Sequence, residues 1–447
     1  MSDASTPSPA TGGANSVNDL LSFLGRSPTP WHAVDTVAEV LATHGFDAID
    51  LSWEPRPLIA GTRGYVRSGG TIIAFQVGME PVAAFGFRIA SAHTDSPGLR
   101  LKPQPIIKGN GYVRLGVEVY GGVLLSTWMD RDLGLAGRVV LRDKDAGQRT
   151  VLVNIARPVA RIPNLAIHLN RGVNDEGVKL NAQTHMPAVF SLDVDAADPL
   201  RDLLASETGA TPADVLTWDL ALYDLAAPVR GGLNGEFVFS GRLDNLASSY
   251  ALVQGMIASL DSGFDGRPCA VTSVIALHDH EEVGSLSAQG AQGRLLETVL
   301  QHVVDQAEQA PGGLVRALAN SWHLSADMAH AVHPGYADKH DSQHMPELNK
   351  GLVIKQNASQ RYGTEGETSA FVLRLCEKAG VKPQWFANRS DLACGTTVGP
   401  IVGAALGVHT ADIGCPMLSM HSIREMCGTK DHEGMIAMLD KFFRGEG

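Results

Sequence analysis

The segment SVIALHDHEEVGSLSAQGA, residues 273–291, constrains this chain more tightly than any other. Residues 271–277 are apolar and rich in β-branched side chains, the composition of a strand buried on both faces. Directly after them stand His278, Asp279, His280, Glu281 and Glu282, then Gly284 and a run of small residues. Two adjacent carboxylates at the end of a buried strand are costly unless positive charge meets them. The fold must therefore bring a cationic partner to that end.

Around this strand the sequence alternates strands and helices. Residues 16–46 read as two short amphipathic helices broken at Ser27–Pro30, the second closing at Gly45. Residues 71–78 and 86–95 read as strands, and 244–260 as an amphipathic helix with Asp244 at its start. A helix near 294–310, a strand near 321–326, a helix over about 366–379, a strand at 383–387 and a last helix over about 431–443 follow. Such alternation predicts an α/β fold with a mixed, mostly parallel sheet sandwiched by helices. Between about Leu99 and Gly235 the texture changes. Short alternating segments such as YVRLGVEVYGG, RVVLR and TVLVNIA predict antiparallel β-structure, with one candidate helix at 211–217.

The expected organisation is a discontinuous α/β domain, residues 17–98 and 236–447, interrupted by a β-rich insert, residues 99–235. Residues 1–16, rich in Ser, Thr, Pro and Gly, read as a disordered lead-in without the features of a signal peptide. The glycine-rich stretches GLNGEFVFSG and TVGPIVGAALG lack phosphate-loop spacing and read as turns and close packing.

A net charge of −12 and the lack of any Lys/Arg run argue against a nucleic-acid partner. No stretch reaches the ~18–20 uninterrupted apolar residues that span a bilayer. The five cysteines (Cys269, Cys376, Cys394, Cys415, Cys427) are odd in number and lack CxxC spacing, against a disulfide framework or a thiolate metal site. The expected location is the cytoplasm.

In open α/β sheets, ligands bind at the carboxyl ends of parallel strands. Five ends carry ligand-type side chains: His93 and Asp95, Asp244, Glu281 and Glu282, Asp327, and His421. Each alone has an ordinary reading, such as a surface turn, a helix cap at Asp244 or a core histidine at His421. Their expected convergence on one side of a single sheet weakens those readings. The set holds His, Asp and Glu but no Cys, which suits Zn²⁺, Mn²⁺ or Co²⁺. Two histidines with three or four carboxylates exceed the needs of one tetrahedral ion with an open position. They match two ions ~3.5–4 Å apart, bridged by a carboxylate and a water. One of Glu281 and Glu282 then binds metal, and its neighbour is free to act as general base. The expected cationic partner is a two-metal centre.

The motifs SAHTDSPGLRLK, GRLDNLAS, HDHEEVGS, SADMAHAVHP, IKQNASQRYGTEGE and MHSIREMCG together resemble the M18 aspartyl aminopeptidases of the di-zinc metallopeptidase clan. The likeness runs from SPTPWHAV to the last helix and includes the insert with RIPNLAIHLNR. It implies a di-zinc exopeptidase-like fold with the insert as a dimerisation domain. By this resemblance His93 and Asp327 would hold one metal, Glu282 and His421 the other, and Asp244 would bridge both. Asp95 would orient His93, and Glu281 would be the general base. Two divalent ions per subunit are implied, Zn²⁺ with Co²⁺ or Mn²⁺ as substitutes. His168 would reach a neighbouring subunit's active site, and dimers would assemble into a homododecamer. The implied substrates are peptides with N-terminal Asp or Glu, with Lys355 as the pocket cation and Tyr362 and His333 as further pocket candidates. Arg361 competes for the role of Lys355, which reads equally well as a solvated strand-end lysine.

Two other readings remain open. A metal-dependent carboxypeptidase or an amidohydrolase of N-acyl amino acids would need a cation, usually Arg, for the substrate's α-carboxylate. A non-enzymatic assembly protein with a vestigial metal site would have no need of the extra carboxylate at Glu281.

Overall fold

The computed structural model describes residues 17–52, 57–260, 269–308 and 312–447; the lead-in expected over residues 1–16 lies outside them. The apolar strand that precedes the two glutamates, Thr272–His278, is buried at every residue. It lies in the middle of a nine-stranded sheet. Phe87–His93 pairs with it in parallel and Thr71–Gln76 antiparallel. Beyond Phe87–His93 lie Trp322–Ala326 and His409–Gly414, both parallel. Four adjacent central strands therefore end on the same edge. Val353–Gln356 continues the sheet antiparallel to His409–Gly414 and is itself joined in parallel by Gln384–Ala387.

The period-2 alternation of a strand sends successive side chains to opposite faces. Ile275 and Leu277 pack into a core with the helices Val17–Arg26, Pro30–Thr43, Leu243–Leu260 and Asp431–Phe443. Val274 and Ala276 enter a second core with the helices Leu295–Ala307 and Val398–Leu406. Both faces are covered, as a continuous apolar run requires.

Strands between Gly98 and Asp224 build a separate six-stranded sheet with antiparallel pairing. Its own core holds Leu99, Leu115, Leu135 and Leu222. A third, five-stranded sheet joins Val229–Gly231, Phe237–Ser240, Glu425–Gly428, Pro416–Leu418 and Ala329–His330.

Three local expectations are corrected. The helix expected at 211–217 is a single 3₁₀ turn, Pro212–Asp214, followed by the strand Val215–Asp224. That strand is paired on both sides, and burial of Val215, Leu220 and Leu222 in the sheet outweighs local helix preference. A helix not foreseen, Pro199–Thr208, starts with Asp198 accepting from the Arg201 N–H and closes at Gly209 with φ +65. TVGPIVGAALG is no set of turns either: Val398–Leu406 is helical, capped by the Thr397 hydroxyl on the Gly399 N–H. Its close packing is real, since a Cβ on Gly403 would lie 2.7 Å from Thr410 Oγ1.

Candidate metal centre

His93 is the last residue of Phe87–His93 and lies in register with His278 on the neighbouring strand. Asp327 directly follows Trp322–Ala326, the next strand in the sheet. Thr272–His278 leads through Asp279 and His280 into one 3₁₀ turn, Glu281–Val283. His280 at φ 63 and Gly284 at φ 95 bracket that turn, so both glutamates emerge from a tight reversal at the sheet edge.

Asp244 and His421 arrive from another direction. Asp244 follows Phe237–Ser240, and His421 follows Pro416–Leu418, both strands of the five-stranded sheet. The expectation of five ends on one sheet is corrected: Phe237–Ser240 pairs antiparallel with Glu425–Gly428 instead of joining the central parallel strands. Two sheets meet at the site.

The side chains nevertheless converge. His93 Nε2 lies 3.4 Å from Asp244 Oδ1, 3.5 Å from Asp327 Oδ1 and 3.9 Å from Glu281 Oε2. His421 Nε2 lies 3.4 Å from Asp244 Oδ2 and 3.6 Å from Glu282 Oε2. Asp244 thus presents one carboxylate oxygen to each imidazole. His93, Asp244 and Glu282 each offer one ligand atom, all within 4.8 Å of one another. Each imidazole is oriented by a carbonyl: His93 Nδ1 donates to Asp95 O at 3.0 Å, and His421 Nδ1 to Gly122 O at 3.0 Å. A carbonyl only accepts, so in the neutral rings both Nε2 lone pairs face the carboxylates.

Sequence reasoning missed several supports of this cluster. Asp95 does more than face His93 Nδ1 at 3.4 Å: its Oδ1 and Oδ2 accept the N–H groups of Glu281 and Glu282, each at 3.1 Å. Buried Glu425 accepts the His421 N–H at 2.8 Å and the Asp244 N–H at 3.2 Å. The Ser96 hydroxyl donates to Asp244 O at 2.6 Å. Glu425 had one legible signal, an acid set among apolar residues in the strand Glu425–Gly428. Nothing local marks Ser96.

Electrostatics favour a cation here. Burial pushes Glu281 up to about 7, with Asp327, Asp95 and Asp244 adding to it against His93. Burial, then the Asp244 charge, holds Glu282 well above the usual carboxylate range. For Asp244 burial acts upward, but His421 and His93 outweigh it and hold the carboxyl far below its ordinary value. Burial likewise opposes a charged His93, yet Asp244, Asp327 and Asp95 hold it well above the usual imidazole range. The carboxylates and the imidazoles thus lean on one another for charge balance. Asp244 Oδ1 and Glu282 Oε1 are also buried with no hydrogen-bond partner among the described residues. Hard oxygen and imidazole donors, orphaned oxygens and uncompensated negative charge all fit divalent zinc.

The remaining predicted residues are scattered. The Lys355 side chain is 2% exposed, and Nζ donates to Asp327 Oδ2 and Met328 O, each at 3.2 Å. It is not a solvated lysine. Tyr362 is buried with its ring centroid 5.1 Å from Lys355 Nζ. His333 accepts the Gly335 N–H at 3.0 Å and lines a cavity of about 310 Å³ with His330, Lys339, His340, Phe386 and Met420. Arg361 is exposed. His168 sits on the exposed turn Ile167–Leu169 and makes no hydrogen bond or ion pair with the cluster among the described residues.

A family model described as aminopeptidase I zinc metalloprotease (M18) matches residues 23–443. The chain is 46% identical over 433 residues to a probable M18 family aminopeptidase 2 of Ectopseudomonas mendocina, covering 96% of this chain and 97% of that protein. Among solved structures it matches a chain of the Ape4 and Nbr1 complex with TM-score 0.90 and 38% identity, over 96% of this chain and 85% of that one. It also matches the mApe1 dodecamer of S. cerevisiae with TM-score 0.84 and 28% identity, over 95% of each chain. The match spans both α/β segments and the inserted sheet, and the family's metal has a fitting donor set at their meeting point. The chain is a metal-dependent aminopeptidase and belongs to the aminopeptidase I zinc metalloprotease (M18) family.

Proposed function

We propose that the chain removes N-terminal Asp or Glu from peptides at a centre of two divalent ions, zinc in the first instance. The observation that carries this reading is the placement of Asp244, one oxygen toward each imidazole at 3.4 Å. His93 and Asp327 would hold one ion, Glu282 and His421 the other, and Asp244 would bridge them. Divalent ions at these positions would lower the pKa of water and polarise the scissile carbonyl. Glu281, 3.9 Å from His93 and outside both ligand pairs, is placed to take the water's proton and pass it to the leaving amine. Asp95 fixes the turn that carries Glu281 and orients His93.

Acidic specificity draws on Lys355 and the adjoining cavity. An ammonium has three donors; Asp327 and Met328 take two, which leaves one for a substrate carboxylate. Tyr362 walls this position, and the cavity containing His333 carries imidazole and Lys339 side chains rather than carboxylates. Lys355→Met is expected to lower kcat/KM for an Asp-terminal amide by about thirtyfold or more, the cost of losing a buried charge pair. Leu-terminal amide hydrolysis should fall less, because the lost contact to Asp327 affects both substrates equally. A panel of Asp-, Glu-, Leu- and Lys-terminal amides reads this ratio; an unchanged Asp/Leu ratio removes Lys355 from specificity. Cleavage of N-acylated but not free-amine substrates would favour the amidohydrolase reading.

His168 and its neighbours suit an intersubunit role. Leu165, Ile167 and Leu169 are 59%, 47% and 75% exposed beside it, an apolar patch that a second copy would cover. We infer assembly through the inserted sheet into dimers and a homododecamer, the state that the mApe1 neighbour has. Size-exclusion fractions holding monomer should then be nearly inactive, and full activity in a monomer fraction would refute a role for His168 across subunits. The five cysteines are free, which suits the cytoplasm. No helix among the described residues is long and apolar enough to cross a membrane.

A further inference from the structure

The strand Tyr112–Tyr120 of the six-stranded sheet runs out into Tyr120, Gly121 and Gly122, and this tripeptide lies against both halves of the metal centre. Tyr120 is 8% exposed, and its hydroxyl donates to Asp95 Oδ2 at 2.6 Å. That oxygen also accepts the Glu282 N–H, while Asp95 Oδ1 accepts the Glu281 N–H and faces His93 Nδ1. The Arg100 guanidinium lies 3.6 Å from the centre of the Tyr120 ring and holds it in place. The two glycines are demanded by space. A Cβ on Gly121 would stand 3.1 Å from Glu282 Cβ, and one on Gly122 would stand 3.1 Å from His421 Nδ1. The Gly122 carbonyl is also the acceptor that orients His421.

We propose that Tyr120 is a positioning residue of the metal centre. Its hydroxyl locks the Asp95 carboxylate, which holds the N–H groups of Glu281 and Glu282 in register, while the carbonyl of the same residue orients His93. Through this tripeptide the inserted sheet governs the centre of its own subunit. The proposal rests on the reading of His93, Glu282 and His421 as metal ligands.

The effect follows from the number of donors. Asp95 is fully buried; its carboxylate accepts two backbone N–H groups and one phenol, and its carbonyl accepts the His93 imidazole. With the phenol removed, Oδ2 keeps a single donor in a dry site, and the carboxylate is free to turn. A turn of the Asp95 carboxylate releases the N–H groups of Glu281 and Glu282 and loosens the reversal that carries both side chains. Outer partners of metal-binding histidines typically govern affinity or activity by about 10–100-fold.

Tyr120→Phe deletes only the hydroxyl, and Tyr112→Phe, at an exposed position of the same strand, is the control. Four quantities are compared with wild type. They are Zn²⁺ affinity by competition with a chromophoric chelator, the absorption spectrum of the Co²⁺ form, kcat and KM for an Asp-terminal amide, and amide hydrogen exchange at Glu281 and Glu282 in chelator-stripped protein. For Tyr120→Phe, Zn²⁺ binding should weaken by about 10–100-fold, the Co²⁺ spectrum should shift and kcat should fall at nearly constant KM. Exchange at both glutamates should quicken, and Tyr112→Phe should match wild type throughout. Unchanged Zn²⁺ affinity together with unchanged exchange in Tyr120→Phe overturns the proposal. If wild type binds no metal or spares every free-amine substrate, the metallopeptidase reading fails instead. Exchange at Glu281 and Glu282 then still decides whether Tyr120 positions Asp95.

Discussion

Glu281→Gln is expected to lower kcat by about 10²–10⁴-fold, the range of a lost general base, while the protein keeps its full metal content. The asymmetry follows from position. Glu281 Oε2 lies 3.9 Å from His93 Nε2, whereas Glu282 and His421, and Asp327 and His93, form the closer pairs. The side-chain amide introduced by this substitution keeps the size of the carboxylate it replaces. The backbone is undisturbed, because the N–H at this position is held by Asp95 in either case. KM should change little, since the base is not asked to bind the ground state. Metal analysis beside steady-state kinetics checks this. Loss of metal in step with activity would instead place Glu281 among the ligands.

Asp244→Ala should be more severe, with both ions lost together and turnover reduced on the order of 10⁴-fold or more as water activation disappears. Among the described residues, Asp244 alone comes within 4.0 Å of both the His93 and the His421 imidazole. The side chain of neighbouring Asn245 is turned to Ala326, whose carbonyl accepts its Nδ2 at 2.8 Å. The fold should survive: Asp244 heads a helix whose buried face is anchored by Leu246, Leu252, Met256 and Ile257. Zinc at about 100 times its Kd should stabilise wild type by about 2.7 kcal/mol for each ion bound, and this shift should vanish in Asp244→Ala. Melting scans with and without zinc measure it; a variant that retains one full site and half the zinc-induced shift would argue against a bridging Asp244.

Much of this was legible in the sequence because the central strands are ordinary buried strands. Residues 271–277 and 86–92 are mostly apolar, and the residues that follow them include the ligand-type side chains, so pattern and chemistry point the same way. The helices over 366–379 and 431–443 were also readable, one from Gly380 as its stop and the other from amphipathic spacing. What stayed hidden depends on long-range pairing. Asp244 and His421 follow two strands of the five-stranded sheet, Phe237–Ser240 and Pro416–Leu418, which are far apart in the chain and short. Nothing local says that they share a sheet. The same holds for Tyr120, which meets the Asp95 carboxylate across 25 residues, and for Glu425, which meets the Asp244 N–H across 181. The strand Val215–Asp224 was mistaken at its start because its register with two neighbours, not its own propensity, decides its conformation. Lys355 was ambiguous for a related reason: only the fold places its ammonium against Asp327.

The most direct test of a two-metal centre joined by Asp244 is the number of zinc ions taken up per chain. Chelator-stripped protein is titrated with Zn²⁺ and weighed by native mass spectrometry. Two ions per chain in wild type, and none retained at the same free zinc in Asp244→Ala, is the predicted result. A single ion in wild type, or two ions that persist in Asp244→Ala, would contradict it.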